Sequence, residues 1–235
     1  MDTYRAGATI VSVEGNDPEK KAIFIDKLAS ILNEQERMAV RTINIPTNTG
    51  VGHLIKDIVK HYKNSIDKIK TQLFLLMIVE HISVKRFIES IKYNYDVIIM
   101  NNSKYSLYAY AASLNENIDY VESLMNQMIE PDYSLLITDD ENLPVYDDDD
   151  DILVTHEVMK IVDMALHVMA IKKNWTVINL SNVTSSYLSR RIMNYINHGK
   201  PYKTVLLFKN ILVMLYENED KEIRRNMLRC DSLCF

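Results

Sequence analysis

Short apolar runs rich in β-branched residues alternate along the chain with longer amphipathic stretches, and this alternation constrains the fold more than any other feature. Five runs predict buried strands, at residues 8–13, 39–45, 95–100, 133–138 and 175–180. Apolar residues at helical spacing predict helices over 20–36, 54–62, 66–92, 105–129, 155–172 and 183–197. Strands that alternate with helices form a parallel sheet covered by helices on both faces, so we predict one α/β domain.

Composition narrows the class of protein without indicating its chemistry. Of the 235 residues, 47% are hydrophobic and 25% are charged, which is enough for a core and excludes wholesale disorder. No apolar run reaches the roughly 20 residues of a membrane span, and no signal peptide is visible. Only Cys230 and Cys234 occur, which favours a reducing compartment such as the cytoplasm. A net charge of −5 gives no specific nucleic-acid signal.

The first strand leads into a loop with half of a phosphate-binding motif. Phosphate loops use glycines so that backbone N–H groups can surround the anion, a Lys for the phosphates and a Ser or Thr for Mg²⁺. The segment Glu14-Gly15-Asn16-Asp17-Pro18-Glu19-Lys20-Lys21-Ala22 resembles the thymidylate kinase loop, E-G-x-D-x-x-G-K-[ST]-[ST]. Glu14, Gly15, Asp17 and Lys21 match it, whereas Lys20 and Ala22 replace a glycine and the hydroxyl residue. Taken alone, the loop also fits a surface turn with ordinary lysines.

Further matches follow in the order of the thymidylate kinase family, over about residues 6–198. They are Ile45-Pro46, the helix start Gly52–Ile55, the helix Tyr105–Ala112, Pro131-Asp132, Val145–Asp147 in the lid position and Asn174-Trp175. The resemblance implies a three-layer P-loop NTPase-like fold with a five-stranded parallel sheet. It implies a domain over 1–199, with an acidic lid-like loop at 139–151, followed by a C-terminal extension at 200–235.

The chain departs from the family at positions that the resemblance assigns to chemistry. Asn101 and Asn102 stand where the family has an Asp-Arg pair. In the nucleoside pocket that the resemblance implies, two arginines and the stacking Phe are replaced. The residues in that implied pocket are Ile45, Pro46, Asn48, His81, Tyr105 and Ser106, with Ile45 in place of the Phe and Asn48 and His81 in place of the arginines.

The distribution of arginines along the chain, which can be read without an alignment, supports the same interpretation. No arginine lies between Arg41 and Arg86, or between Arg86 and Arg190. The planar guanidinium fork is hard to replace where phosphates are clamped. The lid-like loop carries eight carboxylates and no Lys or Arg, so it would repel a polyphosphate. The acidic run is typical of a solvated surface loop. An acidic metal site is the alternative interpretation, although consecutive aspartates do not by themselves define the geometry of a metal site.

We therefore expect a catalytically inactive pseudoenzyme that is retained as a homodimeric scaffold or interaction protein. In this interpretation no cofactor and no metal are expected, and Asp17, Lys21, Asn101 and Asn102 are degenerate catalytic positions. One alternative is a divergent but active nucleoside monophosphate kinase that uses ATP and Mg²⁺. Another is a nucleotide sensor that binds without turnover. The abundance of Ile, Asn, Lys and Tyr is typical of an AT-rich genome, and since large DNA viruses carry thymidylate kinases, a viral source is expected by analogy.

Two segments indicate protein contacts. The helix at 66–92 is apolar on more than one face, and family members form homodimers through helices including this one, which implies an interface around Leu75, Leu76 and Val79. A deep core is the alternative for this helix. In the extension, the apolar run 203–216 should pack on the domain or on an unidentified protein partner, and the charged stretch 217–229 suits a solvated helix.

Overall fold

Five parallel strands form one sheet in the computed structural model, which describes residues 7–34, 36–62, 68–138 and 156–179. All of these residues lie in the unit Met1–Ile192. The strands are β1 (Thr9–Glu14), β2 (Val40–Asn44), β3 (Val97–Asn101), β4 (Tyr133–Thr138) and β5 (Thr176–Asn179). Their order across the sheet is β2-β3-β1-β4-β5, with every neighbouring pair parallel.

Helices connect the strands in the order that the alternation predicts. They are α1 (Pro18–Glu34), α2 (Gly50–His61), α3 (Lys70–Ile91), α4 (Lys104–Ser113), α5 (Ile118–Met125) and α6 (His156–Lys173). Parallel strands require such crossovers because the chain must return to the end of the sheet at which each strand starts. The predicted α/β class, with its five-stranded parallel sheet and phosphate-loop type of topology, is confirmed.

The strand register explains why both faces of the sheet are covered. Ile10 of β1 lies beside Ile98 of β3, and both pack with Ile88 of α3 in one buried cluster. Successive strand residues point to opposite faces, so Val11 and Ile99 face the other side, where α1 contacts β1, β2 and β3. Five of the six residues of β1 are buried and three of them, Ile10, Val11 and Val13, are apolar, as expected for a strand at the centre of a sheet.

The predicted single helix over 105–129 is wrong, because the chain forms α4 and α5 with a break between them. Asn115 adopts a left-handed backbone with φ of 56°, and the N–H of Glu116 donates to the carbonyl of Ala111 at 3.0 Å. This arrangement ends a helix, and Asn is among the residues that tolerate it. Asn117 then caps α5, since its side chain accepts from the N–H of Tyr120 at 3.0 Å.

Other differences concern the ends of elements. The first helix begins at Pro18 rather than residue 20, and α2 begins at Gly50 rather than residue 54. The predicted strand at 133–138 coincides with β4. The predicted helix at 183–197, the acidic loop at 139–151 and the extension at 200–235 lie outside the described residues. Within the described part of the chain, no helix has the length and hydropathy needed to cross a membrane.

Candidate functional site

The carboxyl ends of β1 and β3 bring the phosphate-loop segment beside the two asparagines. Val13 of β1 lies opposite Asn101 of β3, so Glu14 and Asn102 emerge at the same edge of the sheet. The helices α1 and α4 begin just beyond this edge. In open parallel sheets this edge is where ligands usually bind, so the fold places the predicted site where a site is expected.

Gly15 holds the loop close to the neighbouring strand. Its φ is 142°, and a Cβ atom there would come within 2.6 Å of the carbonyl oxygen of Ile137 in β4. Only glycine suits both the backbone conformation and the space. The next residue, Asn16, donates from Nδ2 to the carbonyl of Met159 at 2.9 Å, which ties the loop to α6.

The amino end of α1 is capped by the loop's own aspartate. Asp17 precedes the helix and accepts the N–H of Lys20 at its Oδ1 at 2.9 Å, while its carbonyl accepts the N–H of Lys21 at 3.0 Å. Pro18 at the first helical position has no N–H to offer. The Lys20 ammonium lies 3.5 Å from the Asp17 carboxylate. One of the donors that a helix start can direct at an anion, the N–H of Lys20, is thus bound by a carboxylate of the same chain.

Lys21 turns back into the protein. Its side chain is 4% exposed, and Nζ donates to the carbonyl of Gly15 at 3.0 Å and to Oδ1 of Asn102. Burial lowers the pKa of Lys21 to about 8, against the opposing effect of the nearby Glu14 and Asp17 carboxylates. At neutral pH the ammonium is therefore charged, and it is bound to oxygens of its own chain.

Asn102 connects Lys21 to the loop after β2. It has a φ of 70°, its Nδ2 donates to the carbonyl of Ile45 at 3.0 Å, and its N–H donates to the carbonyl of Val13 at 3.1 Å. The neighbouring Asn101 donates to Oδ1 of Asn44 at 3.0 Å. Both amides are used as connectors between strand ends, which is a structural role that neutral side chains can perform.

Glu14 is fully buried and bound to the start of α4. Its Oε2 accepts from the hydroxyl of Ser106 and, at 3.4 Å, from the N–H of Ser103. Its Oε1 has no hydrogen-bond partner within the described residues. Sequence reasoning placed Ser106 in the nucleoside pocket and gave Ser103 no role, although a Ser directly before an apolar helix is a recognisable capping signal.

A cavity of about 220 Å³ lies among α2, α3, α4 and the loop after β2. Four of the residues predicted for the nucleoside pocket line it, namely Ile45, Pro46, His81 and Ser106, together with Asn102. Apolar side chains that the sequence analysis did not single out form much of its wall, including Leu73, Phe74 and Met77 of α3. The Ile45-Pro46 peptide bond at its edge is cis.

The other two residues predicted for the nucleoside pocket, Asn48 and Tyr105, are not among the residues that line the cavity. Asn48 is exposed and accepts from the ammonium of Lys56, away from the residues that line the cavity. Tyr105 is buried and packs edge-to-face on Trp175, with ring centroids 4.9 Å apart. Burial and a hydrogen bond to Glu130 raise the pKa of Tyr105. Ala22, at the position of the metal-binding hydroxyl, is exposed on α1.

Two polar residues inside the apolar part of α3 shape the cavity. Glu80 is 3% exposed and accepts the N–H of Thr47 at 2.8 Å, which fixes the loop after β2. His81 is also 3% exposed, and burial lowers its pKa to about 4, so the imidazole is neutral at neutral pH. Sequence reasoning missed the role of Glu80, which a carboxylate within an apolar helical run could have signalled.

The outward face of α3 is apolar near its middle. Leu75 is 43% exposed, Val79 is 47% exposed, and Leu76 beside them is half-buried. These are the residues predicted for a homodimer interface. They lie on the side of the helix opposite Val84 and Ile88, which are buried in the protein. The helix therefore combines a core face with an apolar face that nothing in the described part of the chain covers.

Comparison with known proteins gives fold matches only. No protein-family model and no curated protein matches the sequence. Among solved structures, a thymidylate kinase from Ehrlichia chaffeensis is 15% identical with a TM-score of 0.60, and the match covers 82% of this chain and 100% of that one. A thymidylate kinase from Candida albicans is 17% identical with a TM-score of 0.61, over 81% and 92% of the two chains.

At these identities the likeness concerns architecture rather than activity. The five-stranded parallel sheet and its connecting helices agree with it, while Lys20 and Ala22 in the loop after β1 differ from the family motif. This chain therefore has the fold of the thymidylate kinases, the α/β fold of phosphate-loop kinases.

Proposed function

We propose that this thymidylate-kinase-like protein is a catalytically inactive member of the fold that serves as a homodimeric scaffold or interaction protein. One observation carries the proposal: the groups that would bind phosphate are bound to the protein itself. The Asp17 carboxylate caps α1, and the Lys21 ammonium donates to Gly15 and Asn102.

A bound phosphate would have to displace these contacts. It would compete with the Asp17 carboxylate for the N–H of Lys20, and two negative charges at one helix start repel each other. It would also need the buried Lys21 side chain to leave two acceptors. A Lys20 side chain in place of glycine adds an obstacle where the backbone should approach the anion.

ATP and Mg²⁺ do not fit the residues present. Ala22 has no hydroxyl for the metal, and the amides of Asn101 and Asn102 carry no charge and join strand ends. Phosphoryl transfer depends almost entirely on positioned cations and metal. Each such group contributes on the order of 3 kcal/mol, or roughly a hundredfold in rate, so losing several leaves little catalysis.

The homodimer is supported by the exposed apolar face around Leu75 and Val79. Burying apolar area there contributes about 25 cal/mol per Å² before the cost of association. A two-fold contact would pair this helix with its own copy. We further propose a cytoplasmic location, from the cysteine usage, and a protein partner whose identity the residues do not specify.

Calorimetric titration of the purified protein tests the loss of nucleotide binding. We expect no heat of binding when ATP with Mg²⁺, or dTMP, is added at up to about 1 mM. An active thymidylate kinase serves as the positive control under the same conditions. Saturable binding of ATP in the micromolar range would contradict the proposal and favour a nucleotide sensor or an active kinase.

A further inference from the structure

We propose that the outward face of α6 docks an acidic amphipathic helix of a protein partner, in the manner of a two-stranded coiled coil. This docking face consists of four exposed apolar side chains, at Ile161, Met164, Val168 and Ile171. The inference rests on the proposed function, because it gives an interaction protein a partner of stated chemistry. It concerns a different surface from the α3 face of the proposed homodimer.

The helix α6 is apolar on two opposite sides. Val162, Leu166 and Ala170 are at most 3% exposed and belong to one buried cluster with a residue of β4. The docking face lies on the other side of the helix and is far more exposed, from 39% at Ile161 to 78% at Ile171. A helix that is apolar all round is normally covered on every side, so the outward side of α6 calls for a partner.

The spacing of the docking face distinguishes it from ordinary exposed apolar residues. Ile23 is the one large apolar side chain exposed on α1, and Leu54 is the one exposed on α2. Single residues of this kind are common on protein surfaces. The four residues of the docking face instead follow one another at intervals of three, four and three residues, which is the heptad spacing of a coiled-coil seam.

The width of the seam favours a helix as the occupant. Ile161 and Val168 take heptad position a, and Met164 and Ile171 take position d. Apolar residues at only these two positions form a stripe that suits the packing of one further helix, and β-branched residues at a are typical of two-stranded coiled coils. A membrane surface instead favours a face that includes Trp or Phe, and the docking face contains neither.

Lysines beside the seam determine the charge of the partner. Lys160 takes heptad position g, Lys172 takes position e, and both side chains are exposed. Neither forms an ion pair with any residue that the structure describes. Residues at e and g lie next to the flanking residues of the opposite helix in a coiled coil. A partner with Glu at these positions is therefore attracted, and a partner with Lys there is repelled.

The same lysines disfavour a second copy of this chain as the occupant. Pairing of two α6 helices would bring four lysines to one contact, two from each copy. Asp163, the carboxylate of α6 whose side chain the structure describes, lies 3.3 Å from His167 of its own helix. Like charges that meet across an interface weaken it, so the residues of α6 favour an acidic helix over another α6.

The test compares two synthetic peptides of three heptads by calorimetric titration of the full-length protein at neutral pH. Both peptides carry Ile at a and Leu at d; one has Glu at every e and g position, and the other has Lys there. We expect one acidic peptide per chain, bound at least about tenfold more tightly than the basic peptide. Absence of binding of the acidic peptide at about 100 µM would overturn the inference, as would equal or tighter binding of the basic peptide.

Substitutions in the seam locate the binding. Val168→Asp places a charge in the seam and should weaken binding of the acidic peptide at least about tenfold. Ile23→Asp is the matched control, because Ile23 is as exposed as Val168, at 48%, but lies on α1, and it should leave the binding unchanged. Unweakened binding of the acidic peptide by a folded Val168→Asp would overturn the inference.

A charge reversal tests the flanking lysines and does not depend on Val168→Asp being folded. The double variant Lys160→Glu, Lys172→Glu keeps the apolar seam and changes only exposed positions. It should reverse the preference, so that the basic peptide binds more tightly than the acidic one. A double variant that still prefers the acidic peptide would overturn the inference.

Other occupants of the docking face give different results. A dimer of the unaltered protein that dissociates in Val168→Asp, measured by light scattering, would show that the face joins two copies and would overturn the inference. Sedimentation with anionic phospholipid vesicles that Val168→Asp abolishes, without binding of the acidic peptide, would also overturn it. A separate titration with ATP and Mg²⁺ keeps the two proposals distinguishable. Binding of ATP contradicts the proposed function, whereas failure of the acidic peptide to bind overturns this inference alone.

Discussion

Lys21 illustrates how one residue can keep its place in a motif and lose the motif's chemistry. The ammonium is buried, is bound to Gly15 and Asn102, and has a pKa lowered to about 8 because burial disfavours its charge. In the unfolded chain the same group has a pKa near 10.5. Between these values the unfolded state binds more protons than the folded state, so this residue makes stability rise with pH over that window.

The pH dependence of Lys21→Met follows from this difference. The charged Lys21 destabilises the fold below about pH 8, and this cost, about 3 kcal/mol in full, is removed as the pH rises toward 10.5. The unfolding free energy of the unaltered protein, measured by urea denaturation, should therefore rise relative to that of Lys21→Met across this window. Lys27→Met, on the exposed face of α1, is the control. If the unfolding free energies of Lys21→Met and of the unaltered protein changed in parallel with pH, the lowered pKa of Lys21 would be contradicted.

Repairing the loop sequence alone should not restore catalysis. The double variant Lys20→Gly, Ala22→Ser restores the glycine and the first hydroxyl of the family motif but leaves the two asparagines where the family has its Asp-Arg pair. We expect its transfer of phosphate from ATP to dTMP to stay at the level of the unaltered protein in a radiolabel assay. A gain to about 1 per second, the low end for kinases, would show that the loop was the only defect.

Single residues also show which parts of the site a sequence can predict. The positions of Glu14, Gly15, Asp17 and Lys21 follow from the loop motif, and Asp17-Pro18 is itself a helix-start signal. The return of Lys21 onto Asn102, 81 residues away, depends on the parallel register of β1 and β3 and could not be deduced locally. The burial of His81 likewise comes from packing between elements.

At the scale of elements, the break between α4 and α5 shows where helical periodicity misleads. Apolar spacing continues through residues 105–129, but the left-handed backbone at Asn115 ends the first helix and redirects the chain. Asn115 and Asn117 are residue types that often end and begin helices, but the prediction gave more weight to the continuous apolar spacing. Strand positions were easier to predict, because buried central strands are short, continuous apolar runs.

The backbone at Asn115 makes a prediction about stability. Asn115→Gly should be neutral or slightly stabilising, since glycine adopts a positive φ without strain. Asn115→Val should destabilise by about 1–2 kcal/mol because a β-branched residue resists that conformation. Thermal unfolding followed by circular dichroism measures both, and equal melting temperatures for the two variants would be the contrary result.

For the whole molecule, the alternation of strands and helices predicted the parallel sheet but not its strand order. The order β2-β3-β1-β4-β5 depends on which crossover passes over which strand, and local patterns carry no such information. The resemblance to thymidylate kinases implied the P-loop NTPase-like fold without stating a strand order, and the fold match confirms that fold. The acidic loop and the extension at 200–235 stay predictions.

The proposed homodimer gives a prediction for the assembly. Val79→Asp places a charge on the exposed apolar face of α3 and should convert a dimer into a soluble monomer, since an unpaired charge cannot be buried at the interface. Ser90→Asp, exposed further along the same helix, should leave the dimer intact. Light scattering at tens of micromolar protein measures both, and an unaltered protein that is monomeric there would refute the interface.

If this chain has a kinase fold without kinase chemistry, the purified protein should show no turnover. The measurement is transfer of labelled phosphate from ATP to dTMP by the folded, purified protein with Mg²⁺ present, with Lys21→Met prepared in parallel to reveal any contaminating kinase. We expect no transfer above that of a protein-free control. Turnover of about 1 per second or faster that is lost in Lys21→Met would contradict this expectation.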